Sequence, residues 1–463
     1  MQRKLIALTS AAAAVALMAS ACSSSKSSGT APAGATSGTT AAPSSNALGT
    51  GGTGSTGSPI TTDGKGKTVN VWLMQDAQKG WNDVVDQAVT RFKTETGADV
   101  KINWQTWTNY GQTVDAAVGS SSAPDVLELG NTQTAKYIGA DQLTDLTADK
   151  AKFDNSGAWL DSLAASGASP DAAKQYAIPY YAGARVLIYR KDLFAAAGIT
   201  NPPATLDELK ADLDKVKAAN SAKPNFSALY LPGQNWYTAI SFGANTFGVQ
   251  GIIAKAAGDK YTGTLTDPNF VKGIQTWNDL QKSYSVGGAG KDEKDQDALM
   301  AKGNIAAIVG AGWEAGSVAD PQTGDPSLKD KLGEIAVPGL TADKPTPAFL
   351  GGSNLAVPAK AANAKLGEEW IRIFTDTASM KLLAAKAIPN NKTQIDDYIA
   401  ADPANKATGD AAKGVTWFIP NSPNWAPADE TQLKTAFGQI ASGQDPAMVL
   451  KGLQDSILKD LNS

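Results

Sequence analysis

"YAIPYYAGARVLIYRKDLFAAAGITNPPATLDEL", Tyr176 to Leu209, is the stretch on which the fold turns. Its middle, Val186 to Tyr189, is a short apolar run suited to a buried strand. Near its end, Thr205-x-x-Glu208 has the spacing of a capping box, in which the two side chains satisfy exposed N–H groups at a helix start. It opens the helical pattern TLDELKADLDKVKAAN, Thr205 to Asn220. A strand that feeds a capped helix is one unit of an α/β chain.

The same unit recurs in both directions. Upstream, VNVWLM (Val69–Met74), DVKINW (Asp99–Trp104) and PDVLEL (Pro124–Leu129) read as strands, and Trp81, Val84, Val85, Ala88 and Phe92 share one helix face between the first two. Downstream, SALYL (Ser227–Leu231), IAAIV (Ile305–Val309), EIAV (Glu334–Val337) and NLAV (Asn354–Val357) read as strands. Leu366, Trp370, Ile373 and Phe374 form a second apolar helix face, and Leu450, Leu453, Ile457 and Leu461 a third. The alternation is too long for one sheet, so two lobes are expected from 463 residues. No internal repeat is visible.

Composition excludes several chemistries. The chain has no histidine, which removes Ser/His and Cys/His catalysis and most zinc sites. One cysteine, Cys22, allows neither an intrachain disulfide nor a thiolate cluster. A formal charge of −4 gives no basic footprint for nucleic acid. We expect no metal and no cofactor.

The first 21 residues run from Arg3 and Lys4 through an apolar stretch to Ala19-Ser20-Ala21, the order of a secretory signal. Cys22 follows at once, and Ala-Ser-Ala-Cys resembles a bacterial lipobox with alanine in place of the usual leucine. The alternative is an ordinary cleaved signal with an incidental cysteine. Loss of residues 1–21 removes Arg3 and Lys4 and leaves a formal charge of −6. Residues 22–66 are mostly Ser, Gly, Thr, Ala and Pro, which cannot bury enough apolar surface to offset their ordering entropy. They read as a tether of roughly 35 Å random-coil reach. GKGKT (Gly64–Thr68) hints at a phosphate loop, but Thr61 stands where its first glycine belongs.

Six fragments in order are similar to the extracellular solute-binding proteins of ABC importers, the carbohydrate-binding group (family 1) related to maltose-binding protein. They are VWLMQDAQKGWNDVVDQAVTRFKTETGADVKI, SSSAPDVLEL, the opening stretch, LMAKGNIAAIVGAGWEAG, FLGGSNLAVPAKAANAKLGEEWIRIF and IASGQDPAMVLKGLQDSI, together spanning Thr68 to Leu461. The resemblance implies a two-lobed periplasmic-binding-protein-like fold of type II, with hinge-linked, discontinuous lobes that close over a sugar. We place one lobe at 67–182 plus 345–395 and the other at 183–344 plus 396–463. It further implies a monomer, held by lipid at the outer face of the bacterial cytoplasmic membrane, that hands its sugar to the transmembrane subunits of a permease. It implies no enzyme activity.

A sugar needs hydrogen-bonding side chains for its hydroxyls and an aromatic face for its C–H surface. Trp72, Trp81, Trp104, Trp277 and Trp370 lie on strands or apolar helix faces and read as core. Trp313, Trp236 and Trp425 follow strands or sit in Gly- or Pro-rich loops, where the family often supplies a stacking ring. The spacing after Trp425 departs from maltose-binding protein. Gln75, Asp76, Asn131, Asn235, Tyr181, Arg185, Gly351, Gly352 and Asn354 complete the expected site, with Arg185 equally suited to a structural ion pair.

Two other readings compete. A surface glycosidase needs a carboxylate pair, for which Asp76 and Glu314 are nearest to suitable, and a lectin-like module needs only an open site. The glycines of VGAGWEAG also match a dinucleotide fingerprint, with Glu334 near the place of its acid. Pro321, Gly324 and Pro326 leave little room there for the required helix.

Overall fold

The computed structural model describes residues 57–463 apart from Asp259 and Ala426. The expected signal, Cys22 and most of the tether therefore lie outside the described residues. The tether's expected end at 66 is corrected: the Ile60 N–H donates to Glu369 Oε2 at 2.7 Å, and the Gly64 N–H to the Thr96 carbonyl at 3.0 Å. Ile60 supplies the reason, since it packs against the apolar core beneath it.

Eleven strands are described: β1 (Thr68–Met74), β2 (Asp99–Gln105), β3 (Val126–Gly130), β4 (Ala177–Arg190), β5 (Ala254–Ala257), β6 (Lys260–Gly263), β7 (Ala307–Ala311), β8 (Leu332–Ile335), β9 (Ala348–Ala356), β10 (Ile388–Pro389) and β11 (Thr416–Trp417). β5 and β6 form a separate hairpin. The main sheet runs β10-β4-β9-β3-β1-β2, with β7 and β8 added along the far end of β4. Parallel β1–β2 and β1–β3 pairs are joined through helices, as parallel strands require.

β4 positions everything else. It has 14 residues, about 46 Å of extended chain. Ala177 to Ala184 pair with β9, whereas Arg185 to Arg190 pair with β7 and β8. One strand thus passes from one lobe's sheet into the other's, and β9 returns beside it. The turnover falls at Ala184–Arg185, within the opening stretch. Expected strands at 186–189 and 354–357 are segments of these longer crossings.

Two apolar cores flank the crossing. One gathers β1 and β3 with helices Asn82–Thr96 and Ala364–Phe374, through Val84, Phe92, Trp370 and Phe374. The other gathers helices Leu206–Ala219, Trp236–Phe247, Pro268–Tyr284 and Pro446–Leu461 around Trp236, Trp277 and Trp417. The capping box forms: the Glu208 N–H donates to Thr205 Oγ1 at 3.2 Å, and the Ala204 N–H donates to Glu208 Oε2 at 2.7 Å. SALYL is not a strand. It meets the β7 segment only through isolated bridges at Ser227 and Tyr230, a three-residue offset that interrupts a two-residue ladder.

Candidate ligand-binding site

Where β4 passes between the lobes, a cleft of about 590 Å³ opens over it. That is within the usual range for a small-molecule site, roughly 300–1,000 Å³. Its floor is Tyr181, Ala182, Gly183 and Ala184. Asp76, Lys79, Trp81 and Trp107 wall one side; Gly312, Trp313, Glu334, Tyr398, Asn405 and Thr408 wall the other.

Trp313 is the first residue of helix Trp313–Val318, directly after β7 and Gly312, and 64% exposed. Its indole lies across the β4 backbone, where a Cβ on Gly183 would stand 2.5 Å from the ring. A bare glycine in the crossing strand is what lets the ring approach it so closely. The turn before the ring is held by Glu314, whose Oε1 accepts the Ala311 N–H at 2.8 Å while Oε2 accepts from Gln296 at 2.7 Å.

The opposite wall carries a second exposed ring. Trp107, 42% exposed, donates its indole N–H to Asp76 Oδ2 at 2.8 Å. Asp76 is the second residue after β1, on helix Gln75–Gly80. Its carboxylate is held by Trp107 at the edge of the cleft that it lines. Trp81 meets Tyr181 edge to face at 5.1 Å and donates to Tyr180 at 2.5 Å. Two carboxylates, Asp76 and Glu334, and two lysines, Lys79 and Lys386, line the cleft, so no single sign of charge dominates it. Charge-neutral, polyhydroxylated molecules suit such a lining.

Of the expected residues, the cleft brings together Asp76, Tyr181 and Trp313. The others lie elsewhere. Gln75 is partly buried beside Asp76 but does not line the cavity. Asn131 is buried, donating to the Leu350 carbonyl at 3.0 Å, and Asn354 is buried, donating to Ser166 and Thr134. Arg185 makes a bidentate ion pair with Glu293 at 2.5 and 3.1 Å and stacks on Tyr237. Asn235 caps helix Trp236–Phe247, and Trp236 itself is fully buried, stacked on Tyr237 at 3.9 Å. Trp425 is buried in the same core. The expected loop display of these two tryptophans is corrected, because each packs inward from a helix start or turn.

Gly351 and Gly352 lie in the β9–β4 pairing and do not line the cleft, and Gly352 serves the close approach of the two strands. They pair with Gly183 and Ala182, and at Gly352, with φ +143°, a Cβ would stand 2.2 Å from the Tyr181 carbonyl oxygen. The acid pair considered for hydrolysis is not assembled as one, since both Glu314 oxygens are spent on the turn behind Trp313.

Sequence reading missed Trp107, which follows β2 in a loop and meets the same criterion that selected Trp313. It also placed Trp81 wholly in the core. Glu334, Tyr398, Asn405 and Thr408 reach the cleft only through tertiary packing and carry no local signal.

Burial raises three carboxyl groups, Glu128, Glu314 and Glu334, to about 7. Each ordinarily titrates near 4.3 when solvated, so the folded chain holds extra protons between those values. Stability from these groups is complete below the lower value and is lost as pH rises through the upper one. The ligand-free protein is therefore expected to melt at a lower temperature at pH 8 than at pH 5.5, by calorimetry.

A family model described as bacterial extracellular solute-binding protein matches residues 72–381. The diacetylchitobiose binding protein DasA of Streptomyces coelicolor is 33% identical over 401 residues, covering 86% of this chain and 90% of that one. Among solved structures, the GacH receptor of Streptomyces glaucescens superposes with a TM-score of 0.70 at 21% identity, over 86% of this chain and 99% of that one. The sugar-binding protein MalE of Xanthomonas citri gives 0.70 at 19% identity, over 85% and 97%.

Proposed function

The chain belongs to the bacterial extracellular solute-binding protein family, and from that premise we propose that it is the carbohydrate receptor of an ABC importer. It captures a di- or oligosaccharide, or an amino sugar, between its lobes and delivers it to a membrane permease. The observation that carries this is the cleft itself: Trp313 and Trp107, both exposed, face from opposite walls a cavity that no single sign of charge dominates. Diacetylchitobiose is the first candidate, because a relative that spans most of the chain is named for it.

The ligand contacts both lobes and so selects the closed arrangement over the open one. β4 is the natural hinge, since its first half pairs with β9 and its second half with β7 and β8. We place the lobes at 67–182 plus 345–395 and 183–344 plus 396–463, a division supported by the change of β4's partners at Ala184–Arg185. Lipidation of Cys22 would keep the receptor at the outer face of the membrane, and we take the working unit to be a monomer without enzymatic activity.

A thermal-shift screen of mono-, di- and oligosaccharides tests the reading. A sugar at about a hundred times its Kd adds roughly 2.7 kcal/mol of stability, a readily measured rise in melting temperature. Stabilisation by amino acids, peptides or polyamines alone would overturn it, and so would turnover of a bound oligosaccharide. Within this reading, Gly183→Val is expected to weaken sugar binding at least tenfold, measured by calorimetric titration, because the new side chain occupies the place of the Trp313 ring. Unchanged affinity would show that the ring's seat on β4 is irrelevant.

A further inference from the structure

Beneath the cleft floor lies a carboxyl group that no contact with a ligand explains. Glu128, in β3, is fully buried. Its Oε2 accepts the Met74 N–H at 2.9 Å, the last residue of β1 before the turn that carries Asp76. Its Oε1 has no hydrogen-bond partner among the described residues, and neither has the hydroxyl of Ser353, also buried. Ser353 is the register partner of Tyr181 on the β9–β4 pair and of Gly130 on the β3–β9 pair. The Tyr181 hydroxyl lies close to both Glu128 and Ser353. One carboxyl thus stands between the strand end that presents Asp76 and the crossing strand that presents Tyr181.

We propose that Glu128 is a positioning residue for the ligand cleft, one oxygen fixing the β1 turn and the other switching Tyr181 between an inward and a cleft-facing hydroxyl. The proposal rests on the sugar-receptor reading only for what enters the cleft. With Glu128 neutral, its O–H donates to Ser353 Oγ, which satisfies both orphaned atoms and leaves the Tyr181 hydroxyl to donate into the cleft. With Glu128 ionised, Oε1 draws the Tyr181 hydroxyl inward as a donor, and a second negative charge stands near Asp76. Met74 is held in both states. The titratable groups facing Glu128 are Asp76 from the helix after β1, Tyr110 from helix Tyr110–Val118, whose hydroxyl donates to the Glu128 carbonyl at 2.8 Å, and Tyr180 and Tyr181 from β4. The tyrosines are all held above their ordinary range by burial, whereas burial brings Glu128 to about 7, so that it changes charge near neutrality. Ligand affinity is then expected to fall three- to tenfold from pH 5.5 to pH 8.5.

The test compares the wild-type protein with Glu128→Gln, which keeps an acceptor for Met74 and cannot ionise. Without ligand, tryptophan fluorescence is followed from pH 5 to 8.5, since Trp81 and Trp107 border the two groups concerned. A transition near pH 7 that is larger in the wild type than in the variant is the expected result, because Glu314 and Glu334 are raised to about 7 in both proteins. A transition of equal size in both proteins, or none in the wild type, overturns the proposal. Diacetylchitobiose affinity is measured over the same range. A wild-type affinity that falls more steeply with pH than the variant's supports it, Glu334 in the cleft being common to both, and parallel profiles overturn it. Should diacetylchitobiose and the wider sugar panel bind at no pH, the receptor reading fails, while the fluorescence arm still decides the role of Glu128.

Discussion

Trp313→Ala is expected to lower sugar affinity about 30- to 150-fold while leaving the melting temperature of the ligand-free protein unchanged within about a degree. The affinity figure comes from the cost of truncating a central aromatic anchor, about 2–3 kcal/mol, at 1.4 kcal/mol per tenfold. The stability figure follows from exposure: the ring is 64% exposed and contributes to none of the buried apolar clusters, so its loss opens no void in a core. Surface substitutions of that kind usually stay within about 0.5 kcal/mol. Trp313→Phe should recover part of the loss, because a smaller ring still offers a face to sugar C–H groups over Gly183. Calorimetric titration at fixed pH, with urea melts of each variant, separates the two effects. Affinity within twofold of wild type would remove Trp313 from the site and shift the stacking role to Trp107 on the opposite wall.

The contrast between Trp313 and Trp236 shows how far sequence could reach. Both follow a glycine-containing turn after an apolar run, and that local pattern selected both. What separates them is the helix that each begins. Trp236 is followed by Ala239, Ile240 and Gly243, an apolar face at helical spacing that turns the ring inward onto Phe349 and Trp417. That periodicity was present in the sequence and outweighs the turn. Trp313 opens a helix of six residues, too short to bury it. The two-lobed fold was legible because strand and helix periodicities repeat along the whole chain. The long crossings were legible only as fragments, since a strand buried on both sides has no alternation to mark its length. Asn131, Asn354 and Arg185 illustrate a different limit: hydrogen-bonding side chains near the crossing suit a ligand and suit the protein's own polar groups equally well. Their partners, Leu350, Ser166 and Glu293, are 219, 188 and 108 residues away, and no local pattern predicts such pairings.

Glu369→Ala is expected to cost about 3–5 kcal/mol of stability, the usual penalty for stripping one partner from a buried ion pair. Glu369 and Arg372 have side chains 0% and 1% exposed, on one face of helix Ala364–Phe374. Three guanidinium–carboxylate hydrogen bonds of 2.6, 3.1 and 3.1 Å join them. Without Glu369 the guanidinium keeps Glu95 at 3.2 Å, but that carboxylate is one-third exposed and cannot follow it into the core. The same substitution removes the acceptor for the Ile60 N–H, so the segment leading out of the folded body loses one of its buried attachments, with that of Gly57 to Asp154 remaining. Two measurements follow: a lower urea midpoint, and faster proteolysis near residues 57–62 under native conditions. None of these residues lines the cleft, so sugar affinity well below the melting temperature should be unchanged. The double variant Glu369→Leu with Arg372→Met should recover most of the lost stability, because it removes both charges and fills the same volume with apolar atoms. It should not restore protection of residues 57–62, since no acceptor for Ile60 returns. A single variant that loses less than about 1 kcal/mol would mean that Glu95 re-pairs fully with Arg372. The chain's entry into the first lobe would then rest on Ile60 packing and on the remaining hydrogen bonds of Gly57 and Gly64.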